Sequence, residues 1–155
     1  MILNRQSEEA VDLGDARRFA RHVRSALRLG RRDFNVCFVS DREIARLNGK
    51  YRNKRRPTDV LSFPWNDNGA GTSPQDKEFR NFLGDVIISA RTARRNARGE
   101  GHSLREEVRL LILHGVLHLL GYDHERDSGE MLELELKMRD RLNGKTSRKL
   151  RRQKS

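Results

Sequence analysis

Three histidines that could bind a metal ion lie within one short run of the sequence. His114 and His118 are four residues apart, so a helix would present both imidazoles on one face. Gly121 follows, where a helix can end in a left-handed conformation and let the chain turn back. His124 could then join the other two. Three neutral imidazoles meeting at one point would form a metal site with an open position for water, as in catalytic zinc centres.

The residue types around these histidines argue against a peptidase. The spacing matches the extended zinc-peptidase pattern H-E-x-x-H-x-x-G-x-x-H, but Gly115 stands where that pattern has its glutamate. In the peptidases that glutamate is the general base that activates the metal-bound water. Buried histidines without a metal are the plainer alternative, and the third histidine after a helix-ending glycine disfavours it. Zinc is the default expectation, although imidazole also suits nickel, copper and iron.

The charge of the chain favours a polyanionic partner. Its 155 residues suit one domain, and 33 Lys and Arg against 22 Asp and Glu give a net charge of +11. Such an excess is typical of proteins that bind nucleic acid or an anionic membrane surface. No apolar run approaches the roughly 20 residues needed to span a bilayer, so we expect no membrane association. A single cysteine, Cys37, lies in an apolar run, which favours a buried thiol and a cytoplasmic location.

The elements that must position these residues can be read from hydrophobic periodicity and capping signals. Ser40 and Ser103 each stand three residues before a glutamate, as in a capping box, and should open helices. The helix from Ser103 would run through His114 and His118. The pattern predicts further helices over 13–29, over 90–98 with its end at Gly99, and over 128–142, and strands over 2–6, 34–40, 60–63 and 82–89. We therefore predict a single α/β (α+β) domain in which a small mixed sheet packs against helices, with a zincin-like metal site on one helix.

Two segments should lie outside that core. Residues 66–78 are rich in Gly, Ser, Asp, Asn and Pro, which predicts a long surface loop. Residues 145–155 carry six cations and one apolar side chain, too few apolar groups to fold alone. We therefore place the folded domain at 1–144 and interpret 145–155 as a basic tail that tethers RNA or DNA.

Four blocks of the sequence, taken in order, carry a family resemblance. They are Leu47-Asn48 with Tyr51-Arg52, the segment Pro57-Thr-Asp-Val-Leu-Ser-Phe-Pro64, Leu83-Gly-Asp85 with Ile87-Ile-Ser89, and the run from His114 to His124. Together they resemble the YbeY family of bacterial endoribonucleases, described as rRNA maturation factors. The resemblance covers roughly residues 35–142, and the histidine run with Gly at its second position is its most specific part.

The resemblance implies a fold, a cofactor and an activity. It implies a single α/β domain that binds one zinc ion through His114, His118 and His124. The implied activity is cleavage of single-stranded RNA, in maturation of the 3′ end of small-subunit rRNA and in ribosome quality control. The small ribosomal subunit and its proteins are therefore expected partners. An arginine of the Tyr-Arg motif, here Arg52, is implied to lie in the active cleft. The longer 66–78 loop and the basic tail depart from typical members and leave the approach of the substrate open.

The chemistry of such a site leaves two routes open. A zinc-bound water could act as the nucleophile, or zinc could polarise a phosphoryl oxygen while another group activates the nucleophile. In either route the guanidinium of Arg52 suits stabilising the charge on the phosphoryl oxygens. Asp59, Asp85 and Asp123 could orient the ligating imidazoles or serve only as turn and cap residues. No residue is a clear replacement for the missing general base.

The basic surface should follow the RNA backbone rather than read bases. The expected contacts are Lys54, Arg55 and Arg56 beside Arg52, and Arg91, Arg94, Arg95 and Arg98 on one helix. Two alternatives to a nuclease are a non-catalytic, zinc-containing assembly factor that binds rRNA, and a peptidase-like metallohydrolase. The open metal position disfavours the first alternative, because structural zinc usually has four protein ligands. Gly115 disfavours the second.

Overall fold

A four-stranded mixed sheet forms the centre of the described structure. The structure, a computed structural model, describes residues 1–65, 81–122 and 129–143, with the backbone alone for 139–143. The strands are β1 (Ile2–Asn4), β2 (Asp33–Val39), β3 (Val60–Pro64) and β4 (Phe82–Ser89), in the spatial order β1-β2-β4-β3. β1, β2 and β4 are parallel, and β3 pairs antiparallel with β4. This arrangement confirms the predicted small mixed sheet.

Helices connect and cover the strands, and two of them begin where capping boxes were predicted. The described helices are α1 (Leu13–Ala26), α2 (Asp41–Arg52), α3 (Ala90–Glu100), α4 (Leu104–Leu119) and α5 (Glu130–Asn143). The Ser40 hydroxyl accepts the N–H of Glu43 at 3.1 Å, and the Ser103 hydroxyl accepts that of Glu106 at 3.1 Å. Each bond satisfies a backbone donor that the first turn of a helix leaves unpaired. The predicted α/β fold is confirmed.

The predicted end of α3 at Gly99 is wrong. The helix continues through Glu100 and ends at Gly101, whose φ of 72° is left-handed. Glycine adopts that conformation at little cost, and the Gly101 N–H bonds to the last carbonyls of the helix. Gly99 lies within the helix instead, because a glycine in the interior weakens a helix without ending it.

The two faces of the sheet pack against different helices. On one face Val36, Phe38, Val86 and Ile88 join a core with the apolar residues of α1, α4 and α5. On the other face a smaller cluster forms around Ile44 of α2, with Cys37, Val39 and Leu61 from the strands. Cys37 is buried, as predicted, and this burial raises the pKa of its thiol. α4 and α2 therefore lie on opposite faces of the sheet.

α4 approaches the sheet most closely at Gly115. A β-carbon at this position would lie 2.5 Å from Cγ1 of Val86, so no side chain fits there without a shift. The carbonyl of Gly115 also accepts a hydrogen bond from the Ser62 hydroxyl of β3 at 3.1 Å. These contacts hold the middle of the histidine-bearing helix against β3 and β4.

Two segments predicted from the sequence lie outside the described residues. They are the surface loop over 66–78 and the basic tail at 145–155, so the division into a 1–144 domain and a tail stays a prediction. In the part of the chain that the structure describes, no helix combines the length and the apolar character needed to cross a membrane.

Candidate metal centre and catalytic cleft

The imidazoles of His114 and His118 face each other on α4. Their Nε2 atoms are 3.0 Å apart, and the ring centroids are 4.5 Å apart. Both residues are half-buried, at the end of a helix whose other side is almost entirely in the core. The predicted helical spacing therefore does bring two nitrogen donors to one point.

A carboxylate on α5 orients the first of these imidazoles. Nδ1 of His114 lies 2.8 Å from Oε1 of Glu135. Because a carboxylate accepts hydrogen bonds, the contact places the ring proton on Nδ1. The lone pair of His114 then lies on Nε2, which is the atom that faces His118.

The same histidine borders a small cleft. The cleft has a volume of about 210 Å³ and is lined by polar and apolar side chains of α4, α5 and the start of β3: Asp59, Val60, Leu110, Leu111, Leu113, His114 and Glu135. The carboxylate of Asp59 is already held by the N–H of Val60 at 2.8 Å and by the side-chain amide of Asn96 at 3.3 Å. Asp59 thus shares a cleft with His114, as predicted for a carboxylate near the metal ligands. Its described hydrogen bonds, however, connect the start of β3 to α3.

The donors present suit a zinc ion. Two imidazole Nε2 atoms that lie 3.0 Å apart can share one cation, since zinc–imidazole bonds are about 2.0–2.1 Å long. Within residues 1–65, 81–122 and 129–143, no group of three or more metal-binding side chains forms. The third predicted ligand, His124, and the neighbouring Asp123 lie outside these residues.

Asp85 is not brought to the histidines. Its position on β4 alternates with Val86, so it lies on the face that α2 covers, and its Oδ1 accepts the side-chain amide of Asn35 at 3.2 Å. It borders a groove with Cys37 and Leu47 on that face. The sheet thus separates Asp85 from His114 and His118 of α4.

Arg52 lies across β3 from the histidine pair. It is the last residue of α2 and is exposed. The preceding Tyr51 packs edge-on against Phe63 at 5.1 Å on one face of β3, whereas Ser62 bonds to α4 on the other. The described contacts do not join Arg52 to either histidine, so an RNA that touched both would have to pass the edge of the sheet at β3.

Three of the four arginines predicted on α3 are already paired with carboxylates of the protein. Arg91 lies 3.7 Å from Glu8, Arg94 3.3 Å from Glu9, and Arg95 2.7 Å from Asp41. Arg98 is exposed, as are Lys54, Arg55 and Arg56 after α2. The charge available to an anionic partner is therefore concentrated near the end of α2 rather than along α3.

Sequence reasoning missed Glu135. Met131 and Met138 are buried, and Glu135 lies between them at i+4 and i−3 on the same face. A carboxylate at a core-facing helical position was the available signal, because buried charge is rare unless it has a partner.

Comparison with known proteins identifies the family of this chain. A family model described as "Endoribonuclease YbeY" matches residues 1–143. The chain is 43% identical over 129 residues to the endoribonuclease YbeY of Aquifex aeolicus, covering 83% of this chain and 81% of that protein. It is 45% identical over 112 residues to the protein of that name in Nautilia profundicola, covering 72% and 73%.

A solved structure shows the same architecture. The solution structure of TM1509 from Thermotoga maritima aligns with a TM-score of 0.64 at 26% identity, covering 96% of this chain and 93% of that one. The family match spans every described element, including both histidines of α4 and the carboxylate of α5. The chain belongs to the YbeY endoribonuclease family.

Proposed function

We propose that this protein is a zinc-dependent endoribonuclease that cleaves single-stranded RNA and takes part in maturing the 3′ end of small-subunit rRNA and in ribosome quality control. One observation carries the proposal: in a chain of an endoribonuclease family, two imidazole nitrogens converge at 3.0 Å beside a cleft, and a carboxylate orients one of them. The small ribosomal subunit would be its partner and the cytoplasm its location, in keeping with the single buried cysteine.

The residues of the cleft divide into ligands and orienting groups. His114 and His118 would hold one zinc ion, with His124 as the third ligand that the family resemblance implies. A bound zinc ion would supply Lewis acidity and lower the pKa of a water molecule. Glu135 keeps the ring proton of His114 on Nδ1, which leaves Nε2 able to ligate.

Packing explains why the peptidase base is absent. The position of that glutamate is Gly115, where a side chain would meet Val86 of the sheet. A glutamate could be accommodated only if α4 moved away from β4. The cleft therefore lacks the group that distinguishes a zinc peptidase of the usual mechanism, and it retains the two imidazoles.

Arg52 would act on the phosphodiester group of the RNA. Its guanidinium would donate hydrogen bonds to phosphoryl oxygens as negative charge grows on them. Since Arg52 and the histidines lie on opposite sides of β3, the RNA would cross the edge of this strand. A single strand can follow such a bend more readily than a duplex, which agrees with single-strand specificity.

Substitution of one ligand and of the arginine tests this function. Wild type, His114→Ala and Arg52→Ala, each with its zinc content measured, would be incubated with single-stranded RNA, duplex RNA and casein. We expect wild type to cleave only single-stranded RNA, His114→Ala to lose zinc and cleavage, and Arg52→Ala to keep zinc while cleaving about 10²–10³-fold more slowly.

An exposed histidine of α1 provides the matched control. His22→Ala removes an exposed imidazole that does not line the cleft and should retain both zinc and activity. Undiminished cleavage by His114→Ala would contradict the metal mechanism. RNA binding by wild type without cleavage would favour a non-catalytic assembly factor, and casein cleavage would favour a peptidase.

A further inference from the structure

A groove on the outer face of α2 is lined by basic side chains. Arg42, Arg46 and Lys50 recur at four-residue intervals along the helix, and Arg55 from the following loop completes the groove, whose volume is about 550 Å³. We call these four side chains and the space between them the α2 groove. It lies on the side of α2 opposite the buried Ile44 and Asn48.

The cations of the α2 groove differ from those of α3 and α4 in their pairing. Arg46 donates two hydrogen bonds to Glu43, which raises the pKa of Arg46 and shares its charge. Within the described residues, Arg42, Lys50 and Arg55 form no ion pair with a carboxylate. The arginines of α3 and of the start of α4, in contrast, mostly pair with acidic residues of the protein. The α2 groove therefore concentrates positive charge that is available to a ligand.

The shape of the α2 groove suits an extended ligand. Eight residues separate Arg42 from Lys50, which corresponds to about 12 Å along a helix. Gly49 has no side chain, and Arg55 lies against the helix there, with its Cγ 2.7 Å from where a β-carbon of residue 49 would be. Lys50, at one end of the groove, lies two residues before Arg52, so the groove runs toward the end of α2 that carries the arginine of the proposed active site.

An exposed aromatic ring favours a single-stranded nucleic acid over an acidic protein surface. Tyr51 is 58% exposed, its ring is supported edge-on by Phe63, and the ammonium of Lys50 lies 5.3 Å from its centroid. An aromatic face beside cations is the combination that binds a base next to its phosphate.

We infer that the α2 groove binds the phosphodiester backbone of single-stranded RNA and guides it toward Arg52. This inference rests on the proposed endoribonuclease function and adds a binding surface outside the catalytic cleft. Arg42, Lys50 and Arg55 contact phosphates, and the ring of Tyr51 stacks on one base. None of these contacts reads the base sequence.

The salt dependence of RNA binding tests the inference. A double variant, Arg42→Gln with Lys50→Gln, would be compared with wild type by fluorescence anisotropy of a labelled single-stranded RNA at several KCl concentrations. The slope of log K against log salt is negative, and each lost phosphate contact makes it less steep by about 0.7 for single strands. We therefore expect the slope of the double variant to be less steep by about 1.4.

Matched variants separate this surface from diffuse charge. Arg17→Gln with Arg21→Gln removes two exposed arginines that lie one turn apart on α1 and should leave the slope near that of wild type. An unchanged slope in the α2 double variant, or an equal loss in both double variants, would overturn the inference. Displacement of the RNA by polyglutamate as readily as by polyuridylate would also overturn it, in favour of an acidic protein partner.

Cleavage assays distinguish a failure of the groove from a failure of the function. An RNA only a few nucleotides long can occupy the histidine cleft without reaching Arg42. The α2 double variant should therefore cleave it at the wild-type rate while cleaving long RNA less efficiently at low concentration. If wild type cleaves both RNAs and the variant matches it on both, the groove inference fails and the function stands. If wild type neither binds nor cleaves RNA, both fail.

Discussion

Glu135 is the residue that links the last helix to the proposed metal centre. It orients His114 through Nδ1, and its neighbours at i−4 and i+3, Met131 and Met138, anchor α5 in the core. Carboxylates that bond to a ligating histidine fix its tautomer and ring orientation. The position of α5 would therefore bear directly on the affinity of the proposed metal site on α4.

Replacement of Glu135 by glutamine should weaken zinc binding without unfolding the protein. Glutamine keeps the shape of the side chain but removes the charged acceptor from the proton on Nδ1. We expect zinc affinity, measured by competition with a chelator, to fall about 10–100-fold, with little change in melting temperature of the zinc-free protein. Glu133→Gln, an exposed position on the same helix, is the control. Equal zinc affinity in the two variants would show that Glu135 has only a packing role.

The sequence predicted part of this site for simple geometric reasons. The i, i+4 spacing of His114 and His118 requires no knowledge of the fold, because a helix alone places them together. The contact with Glu135 depends on how α5 packs against α4, and charged residues at helical positions are usually assigned to solvent. Such tertiary contacts are not encoded in any local pattern.

At the scale of elements, the contact of α4 with β4 depends on the absence of a side chain at Gly115. Helix-to-sheet packing normally leaves room for a β-carbon, and here Val86 occupies that space. The hydrogen bond from Ser62 to the Gly115 carbonyl adds a second link at the same level of the helix. Residue 115 thus sets how deeply the histidine-bearing helix sits on the sheet.

Gly115→Ala should destabilise the protein even though alanine favours helices. Overpacking against Val86 should lower the free energy of unfolding by about 1–3 kcal/mol, measured by urea denaturation. Gly99→Ala is the control, because that position is also helical and no atom lies within 4 Å of its β-carbon site. The control should gain up to about 1 kcal/mol from helix propensity. A similar gain in Gly115→Ala would mean that α4 shifts freely on the sheet.

Element boundaries were predictable where one local signal dominates. Ser40 and Ser103 open helices as capping boxes predict, since the bonds that they make are local. The end of α3 could not be predicted in this way, because residues 99 and 101 are both glycines and only their backbone conformations distinguish them. The sequence also did not predict on which face of the sheet Asp85 and Arg52 lie, since strand alternation does not say which helix covers which face.

At the scale of the whole molecule, ion pairs with carboxylates offset part of the large positive charge. Asp41 illustrates this role, since it joins α2 to α3: its carboxylate accepts hydrogen bonds from the hydroxyls of Ser89 and Thr92 and from Arg95. Partial burial alone would raise the pKa of Asp41, but these donors outweigh it and hold the pKa below 3.8. In a protein of net charge +11, loss of such carboxylates at low pH also increases repulsion.

The free energy of unfolding should therefore fall at low pH, and Asp41→Asn tests how much of this loss the Asp41 carboxylate causes. Because the folded pKa is depressed, the carboxylate stabilises the fold above pH 3.8, and this contribution is lost as the pH falls through the folded pKa. At pH 7 we expect Asp41→Asn to cost about 1–2 kcal/mol in urea denaturation, with the difference from wild type vanishing at the lowest pH. The exposed Glu100→Gln should show no such loss. A difference that does not change with pH would place the effect in packing rather than charge.

The edge strands of the sheet bear on whether copies of the protein would aggregate when a polyanion such as RNA brings them together. A polyanion that binds several copies brings their surfaces together, and exposed strand edges can then pair and seed aggregation. Both edge strands are short, with three residues in β1 and five in β3. β3 is bracketed by Pro57 and Pro64, which cannot donate to a neighbouring strand, and is preceded by a run of mutually repelling cations. The segment that borders the histidine cleft would thus also limit templated self-association of protein copies gathered on a polyanion.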